Sequence, residues 1–157
     1  MAIEKAKEYL KQFGAEERVL EFEVSSATVE LAAQALNCEP ARIAKSLTFS
    51  GEQPIMVVTA GDAKVDNKKF KEQFSMKAKM LSSEEVEELI GHSIGGVCPF
   101  GVKENVAVYL DESMKRFETV FPAAGSSNSA IELTIEEMEK YSKCRQWVDV
   151  CKGWESL

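Results

Sequence analysis

Apolar residues recur at three- and four-residue spacing over residues 2–13, at Ile3, Ala6, Leu10 and Phe13, with Lys and Glu between them. The spacing predicts an amphipathic helix stopped by Gly14. Val19 to Val24 then alternate apolar and polar, the period of a half-buried strand. Ser25 and Ser26 are candidate caps for a second helix with Val29, Ala32, Ala33 and Leu36 on one face. Its small alanines predict close packing against a sheet. Pro40 precedes a strand over residues 43–49, in which alternation puts Ile43, Lys45, Leu47 and Phe49 on one face. A lysine on such a face must snorkel at a sheet edge, pair with an anion, or serve a pocket.

Residues 54–60 form a continuous apolar run, a buried strand paired with its predecessor through the turn at 50–53. Asp66 or Asn67 caps a helix carrying Phe70 and Phe74, and residues 78–81 read as a short strand. Ser82-x-x-Glu85 is a capping box, opening a helix with Val86, Leu89 and Ile90 on its buried stripe and Gly91 as its C-cap. Strands follow at 106–110 and 130–133. Thr134-x-x-Glu137 is a second capping box, for a helix with Ile135, Met138 and Tyr141, and a final strand covers 146–150. Strands and helices do not alternate strictly. The expected fold class is therefore α+β: a mixed, strongly curved, barrel-like sheet flanked by helices, one domain over residues 1–157.

Two loops interrupt the pattern. Residues 91–101 hold four glycines, Pro99, Cys98 and the single histidine, His92; residues 122–129 are small, hydroxyl-rich and include Asn128. The first is either one wall of a small-molecule pocket, built from bare backbone, or a tight turn with no ligand. Gly96 to Gly101 begins like a phosphate loop, but Val102 stands where that motif needs its lysine. A Cys98–His92 nucleophilic pair is chemically conceivable. A structural or pocket-lining His92 fits the loop better than a general base. No carboxylate pair suits acid–base work.

Composition narrows the field. Four cysteines without a Cys-x-x-Cys, beside one histidine, predict free thiols and no zinc site; no metal or cofactor is expected. The N-terminus lacks an apolar signal core and no run is long enough to span a bilayer, so a cytoplasmic protein without membrane contact is expected. A net charge of −7 opposes gripping nucleic acid by bulk charge, and DNA is not an expected partner. The one basic stretch, from Lys64 through Lys68, Lys69 and Lys71 to Lys79, is either a solvated helix face or a contact for an RNA backbone.

Several stretches together resemble a known family: Lys45-Ser46-Leu47-Thr48-Phe49, Gly61-Asp62-Ala63-Lys64-Val65-Asp66, the Gly-x-x-x-Pro loop from Gly95 to Pro99, and Phe121-Pro122-Ala123-Ala124-Gly125 followed by Ile131-Glu132-Leu133. From about residue 15 to residue 143 the chain is similar to the YbaK/EbsC-type aminoacyl-tRNA deacylases, relatives of the editing domain inserted in bacterial prolyl-tRNA synthetase. The resemblance implies hydrolysis of the ester on a mischarged tRNA, tRNA for proline carrying a small wrong amino acid, with prolyl-tRNA synthetase as a possible partner. It implies catalytic roles for Lys45, which would hold the terminal adenosine or the ester, and for Gly95, whose loop would position the carbonyl and the water. It implies a substrate pocket drawn from Phe22, Gly96, Val97, Cys98, Pro99, Ala123, Gly125, Ser126 and Asn128, to which the reading of the loop adds His92, and the basic stretch offers tRNA contacts from Lys64, Lys68, Lys69 and Lys71. Cysteine-clearing members carry serine where this chain has Ala123 and aspartate where it has Ala130, and Ser126, Ser127 and Asn128 replace their basic and glycine residues. Alanine, serine or threonine therefore joins cysteine as the residue to be cleared. The alternative is a non-catalytic protein that binds a small ligand or a tRNA end.

Overall fold

The structure is a computed structural model that describes residues 2–23, 28–92 and 96–154. In chain order its regular elements are α1 (Ala2–Leu10), β1 (Leu20–Glu21), α2 (Val29–Leu36), β2 (Ile43–Phe49), β3 (Ile55–Ala60), β4 (Lys64–Val65), α3 (Asn67–Phe74), α4 (Ser83–Glu85), β5 (Ala107–Asp111), β6 (Thr119–Pro122), β7 (Ser129–Ala130), β8 (Leu133–Thr134), α5 (Ile135–Ser142), β9 (Gln146–Val148) and β10 (Cys151–Lys152). Among the described residues a curled six-stranded sheet runs in the order β8-β6-β2-β3-β5-β9, beside two-stranded ribbons β1–β7 and β4–β10. The sheet is mixed: β2 pairs antiparallel with β3, while β2–β6, β3–β5 and β5–β9 are parallel. This is the expected α+β architecture.

Every residue of β3 is buried, so both faces of the sheet are covered there. Phe49, Phe70, Phe100, Met56, Leu110, Ile131 and Leu133 are fully enclosed in the main core. Each such side chain contributes about 1.5–3 kcal/mol on leaving water. A second, smaller cluster of Ala32, Ala33, Ile43 and Phe121 lies under α2. The alanines let α2 approach closely, as their spacing predicts. Gly61 is part of this approach: a Cβ there would sit 2.1 Å from the Pro40 carbonyl oxygen.

Several local expectations are corrected. The strand expected over 19–24 is only Leu20–Glu21, and Val24, Ser25 and Ser26 lie outside the described residues. The observed cap of α2 is Thr28, whose hydroxyl accepts from the Leu31 N–H. Residues 78–81 make only a single bridge, Phe49 to Met80. The expected strand 146–150 stops at Val148 as β9, Val150 N–H donates to the buried Asp111 carboxylate at 2.9 Å, and β10 begins only at Cys151. Ile43, Lys45, Leu47 and Phe49 do not share one environment: Ile43 joins the cluster under α2, whereas Phe49 is in the main core. Both capping boxes form as expected. After Ser82 the helix widens into a π-helical turn, Val86–Ile90, and Gly91 closes it at φ 99°. Lys5 donates to the Gly91 carbonyl at 2.9 Å and Lys103 to that of Glu88, which satisfies the helix end.

Candidate active site

β6 runs beside β2 only at Ile43–Phe121 and Ala44–Pro122. Pro122 has no N–H to extend the ladder, and its carbonyl instead accepts from Ile131 N–H at 3.1 Å as the chain folds back. Farther along, the same edge of β2 is met by the 79–81 segment, where Leu81 N–H donates to the Thr48 carbonyl and Ser50 N–H to that of Lys79. Strand alternation therefore turns the backbone of Ser46 toward the gap between these two partners. A cleft of about 200 Å³ opens at this gap.

The described residues that line it come from every neighbouring element. Lys45, Ser46 and Thr48 form the floor; Thr28, Val29 and Ala32 belong to the α2 side; Met80, Leu81 and Val86 close the far end. Val97, Phe121, Ala123, Ser129 and Ala130 supply the remaining wall. The two glycine-bearing loops meet here. A Cβ on Gly96 would lie 2.6 Å from Ser126 N and 2.7 Å from the Gly125 carbonyl carbon, so only a bare backbone lets the first loop seat on the second. That contact brings Val97 to the same cleft as Ala123.

Lys45 is the one titratable side chain among the lining residues. It is half-buried, and its amine reaches the Gly61 carbonyl at 3.5 Å. Burial pulls its pKa below the ordinary lysine range. The nearby Asp62 carboxylate is committed to Arg116, at 2.9 and 2.5 Å, and that guanidinium holds it below the usual carboxylate range. The Ser46 hydroxyl is enclosed and finds no hydrogen-bond partner in the protein.

Of the residues singled out from the sequence, Lys45, Val97 and Ala123 line the cleft; Gly95 lies outside the described residues. None of the other described candidates lines the cleft. His92 is 1 % exposed, and its Nε2 lies 2.7 Å from the Phe100 carbonyl oxygen. Burial lowers its pKa, leaving a neutral ring. Cys98 is fully buried, 3.7 Å from that nitrogen, and burial pushes its thiol up to about 12. Neutral imidazole beside a protonated thiol is not an activated pair. Gly96, Pro99 and Gly125 are buried in the loop junction. Asn128 donates from Nδ2 to the Phe22 carbonyl at 2.8 Å and accepts at its own carbonyl from Phe22 N–H, which ties down the chain before α2. Ser126 Oγ lies 2.6 Å from Ser129 Oγ and supports that hydroxyl at the rim. Lys64, Lys68 and Lys71 are exposed, whereas Lys69 pairs with Asp149 at 3.1 Å. Ser46, Thr48, Ser129 and the α2 residues are lining groups that the sequence reading did not single out. Ser46 had a signal in its position next to Lys45 and Ser129 in its place in the hydroxyl-rich loop; Val29 and Ala32 read as core.

Among the described residues no group of three His, Cys, Asp or Glu could hold a metal ion. None of their helices is long and apolar enough to cross a membrane. The cleft offers one cation, one hydroxyl without a partner in the protein, Ser46, and an apolar wall. That equipment suits an ester already activated toward water, the class of chemistry performed by aminoacyl-tRNA deacylases. The chain belongs to the aminoacyl-tRNA editing domain family, whose sequence profile matches residues 23–141. It is an aminoacyl-tRNA hydrolase of the YbaK/EbsC type. It is 55 % identical over 157 residues to the uncharacterized protein YwhH of Bacillus subtilis, covering 99 % of this chain and all of that one. It is 31 % identical to EbsC of Enterococcus faecalis, named as a candidate Cys-tRNA(Pro)/Cys-tRNA(Cys) deacylase, over 69 % of this chain and 68 % of that one. A crystal structure described as a candidate trans-editing enzyme for prolyl-tRNA synthetase superposes with a TM-score of 0.88 at 29 % identity, covering 97 % of this chain and 98 % of the other.

Proposed function

We propose that this protein clears tRNA(Pro) that carries a small wrong amino acid, working in trans beside a prolyl-tRNA synthetase. The observation that carries the reading is the Lys45 amine, half-buried in one cleft with Val97 of the glycine loop and Ala123 of the second loop. The names borne by EbsC and by the superposed structure point the same way.

The cleft volume suits the aminoacyl end of the substrate; pockets that enclose a whole drug-sized ligand run to about 300–1,000 Å³. The side chain enters against Val97, Ala123 and Ala130. Lys45 donates to the terminal ribose or to the ester, and Ser46 supplies a hydroxyl that the protein itself leaves unpaired. Water adds to the ester carbonyl carbon, and the tetrahedral oxyanion collapses with expulsion of the ribose oxygen, which takes up a proton. The products are free amino acid and uncharged tRNA. No covalent enzyme intermediate is needed, since the leaving group is good and fixed donors stabilise the developing charge. Gly95 belongs to this scheme as the backbone group that positions the carbonyl and water.

The test is parallel deacylation of tRNA(Pro) charged with Ala, Ser, Thr, Cys or Pro. One or more small noncognate esters should be hydrolysed while Pro-tRNA(Pro) survives. Hydrolysis of none of them above the buffer rate, or equal hydrolysis of Pro-tRNA(Pro), overturns the proposal.

A further inference from the structure

The ribbon β4–β10 sets Lys64 directly opposite Lys152. Like charges in facing register destabilise a strand pair. Their neighbours Val65 and Cys151 turn inward to the core, so the two lysines turn outward together. Both are exposed, and neither forms an ion pair with a described residue. Of the surrounding acids, Asp62 pairs with Arg116 and Asp149 with Lys69, while Asp66 caps α3 through the Lys68 and Lys69 N–H groups and its carboxylate also feels the Lys152 charge. In a chain of net charge −7 this is a spot where two exposed lysines outweigh one carboxylate, that of Asp66.

Its position relative to the cleft is set by the backbone. Gly61 accepts from the Lys45 amine, and Lys64 follows three residues later. Three residues span no more than about 11 Å when extended. That is the axial advance of roughly three stacked nucleotides at about 3.4 Å each. We propose that the β4–β10 ribbon, through Lys64 and Lys152, receives the phosphodiester backbone of the tRNA 3′ strand as it leaves the cleft. The proposal rests on the tRNA reading above and deepens it. It assigns Lys69 a different part, since its ties to Asp149 and to the Cys151 carbonyl at 3.0 Å brace α3 against the ribbon.

The probe is uncharged tRNA, titrated from about 50 to 200 mM salt against the wild type, the pair Lys64→Gln/Lys152→Gln and the pair Lys64→Glu/Lys152→Glu. Lys140→Gln, on the exposed side of α5, is the matched control. The Gln pair should weaken binding and flatten the log–log salt slope by about 1.4, at 0.7 for each single-strand phosphate contact. The Glu pair should weaken it at least tenfold at low salt. Wild-type affinity and slope in both pairs, or an equal change in Lys140→Gln, overturns the ribbon assignment. Because the readout is binding, the two readings fail separately. A protein that hydrolyses mischarged tRNA yet binds it equally well after ribbon reversal refutes the ribbon alone. One that hydrolyses nothing, but loses tRNA on reversal, refutes the reaction and keeps the ribbon.

Discussion

Lys45→Met separates the chemistry of the cleft from its stability. The ammonium has three N–H donors. Among the described residues it meets one acceptor, the Gly61 carbonyl, at 3.5 Å, the outer limit of a hydrogen bond. The closest carboxylate, Asp62, already holds Arg116 through two short contacts. The folded protein therefore hosts a charge that it solvates poorly, which is why the amine titrates below its ordinary range. Methionine keeps most of the apolar stem and removes the charge. Changes that relieve an unfavourable functional site commonly stabilise by about 0.5–2 kcal/mol. With a urea dependence of about 2 kcal/mol per molar, a gain of 1 kcal/mol moves the midpoint up by about 0.5 M. The sign with pH follows from the direction of the shift. Between the depressed folded value and the unfolded value of 10.5, the unfolded chain binds more protons, so wild-type stability from this group rises with pH. The advantage of Lys45→Met should thus be greatest below the depressed folded value and shrink as pH approaches 10.5. Deacylation should fall about 100- to 1,000-fold, the usual cost of losing one donor to the reacting group. A variant less stable than wild type at pH 7, or one that retains deacylation within about threefold, refutes the reasoning.

Gly96→Ala forces a Cβ into the Ser126 backbone at 2.6 Å; overpacking of this kind costs about 1–3 kcal/mol, read as a lower urea midpoint, and KM for the charged tRNA should rise as Val97 moves. An unchanged midpoint would mean that the two loops are not seated on each other. The Cys98 thiol, buried and pushed up to about 12, should resist iodoacetamide at pH 8 until the protein is unfolded, while the partly exposed Cys38 is labelled in the native state. Equal native labelling of the two, read by peptide mapping, would contradict its placement. The Arg18 guanidinium holds the Glu137 carboxyl down to about 2, so its contribution is complete above pH 4.5 and lost as pH falls from there toward 2. Glu137→Gln should flatten the acid limb of the stability curve in that window, and acid unfolding identical to wild type would dismiss the pair.

The division between what the sequence discloses and what it withholds has a physical cause at each residue. Capping boxes are local, and both appear where Ser82 and Thr134 announce them. Lys45 was legible as an anomaly because strand alternation reports which side chains share a face, and a cation among apolar partners breaks that report. Alternation is silent about which strand lies alongside and how far it continues. The cleft exists because β6 leaves β2 after two residue pairs, and that parallel pairing joins positions nearly eighty residues apart. Val29, Ala32 and Val86 therefore looked like core, being apolar at helical spacing, when part of each faces the gap. The converse error has the same root. His92 Nε2, Cys98, Ser126 and Asn128 look functional, yet these groups are engaged in holding the loops together, and His92 Nδ1 is buried without a partner. Pro122 was the readable clue. It has no N–H to carry the pairing beyond Ala44, and the cleft opens at the edge of β2 left free beside Lys45.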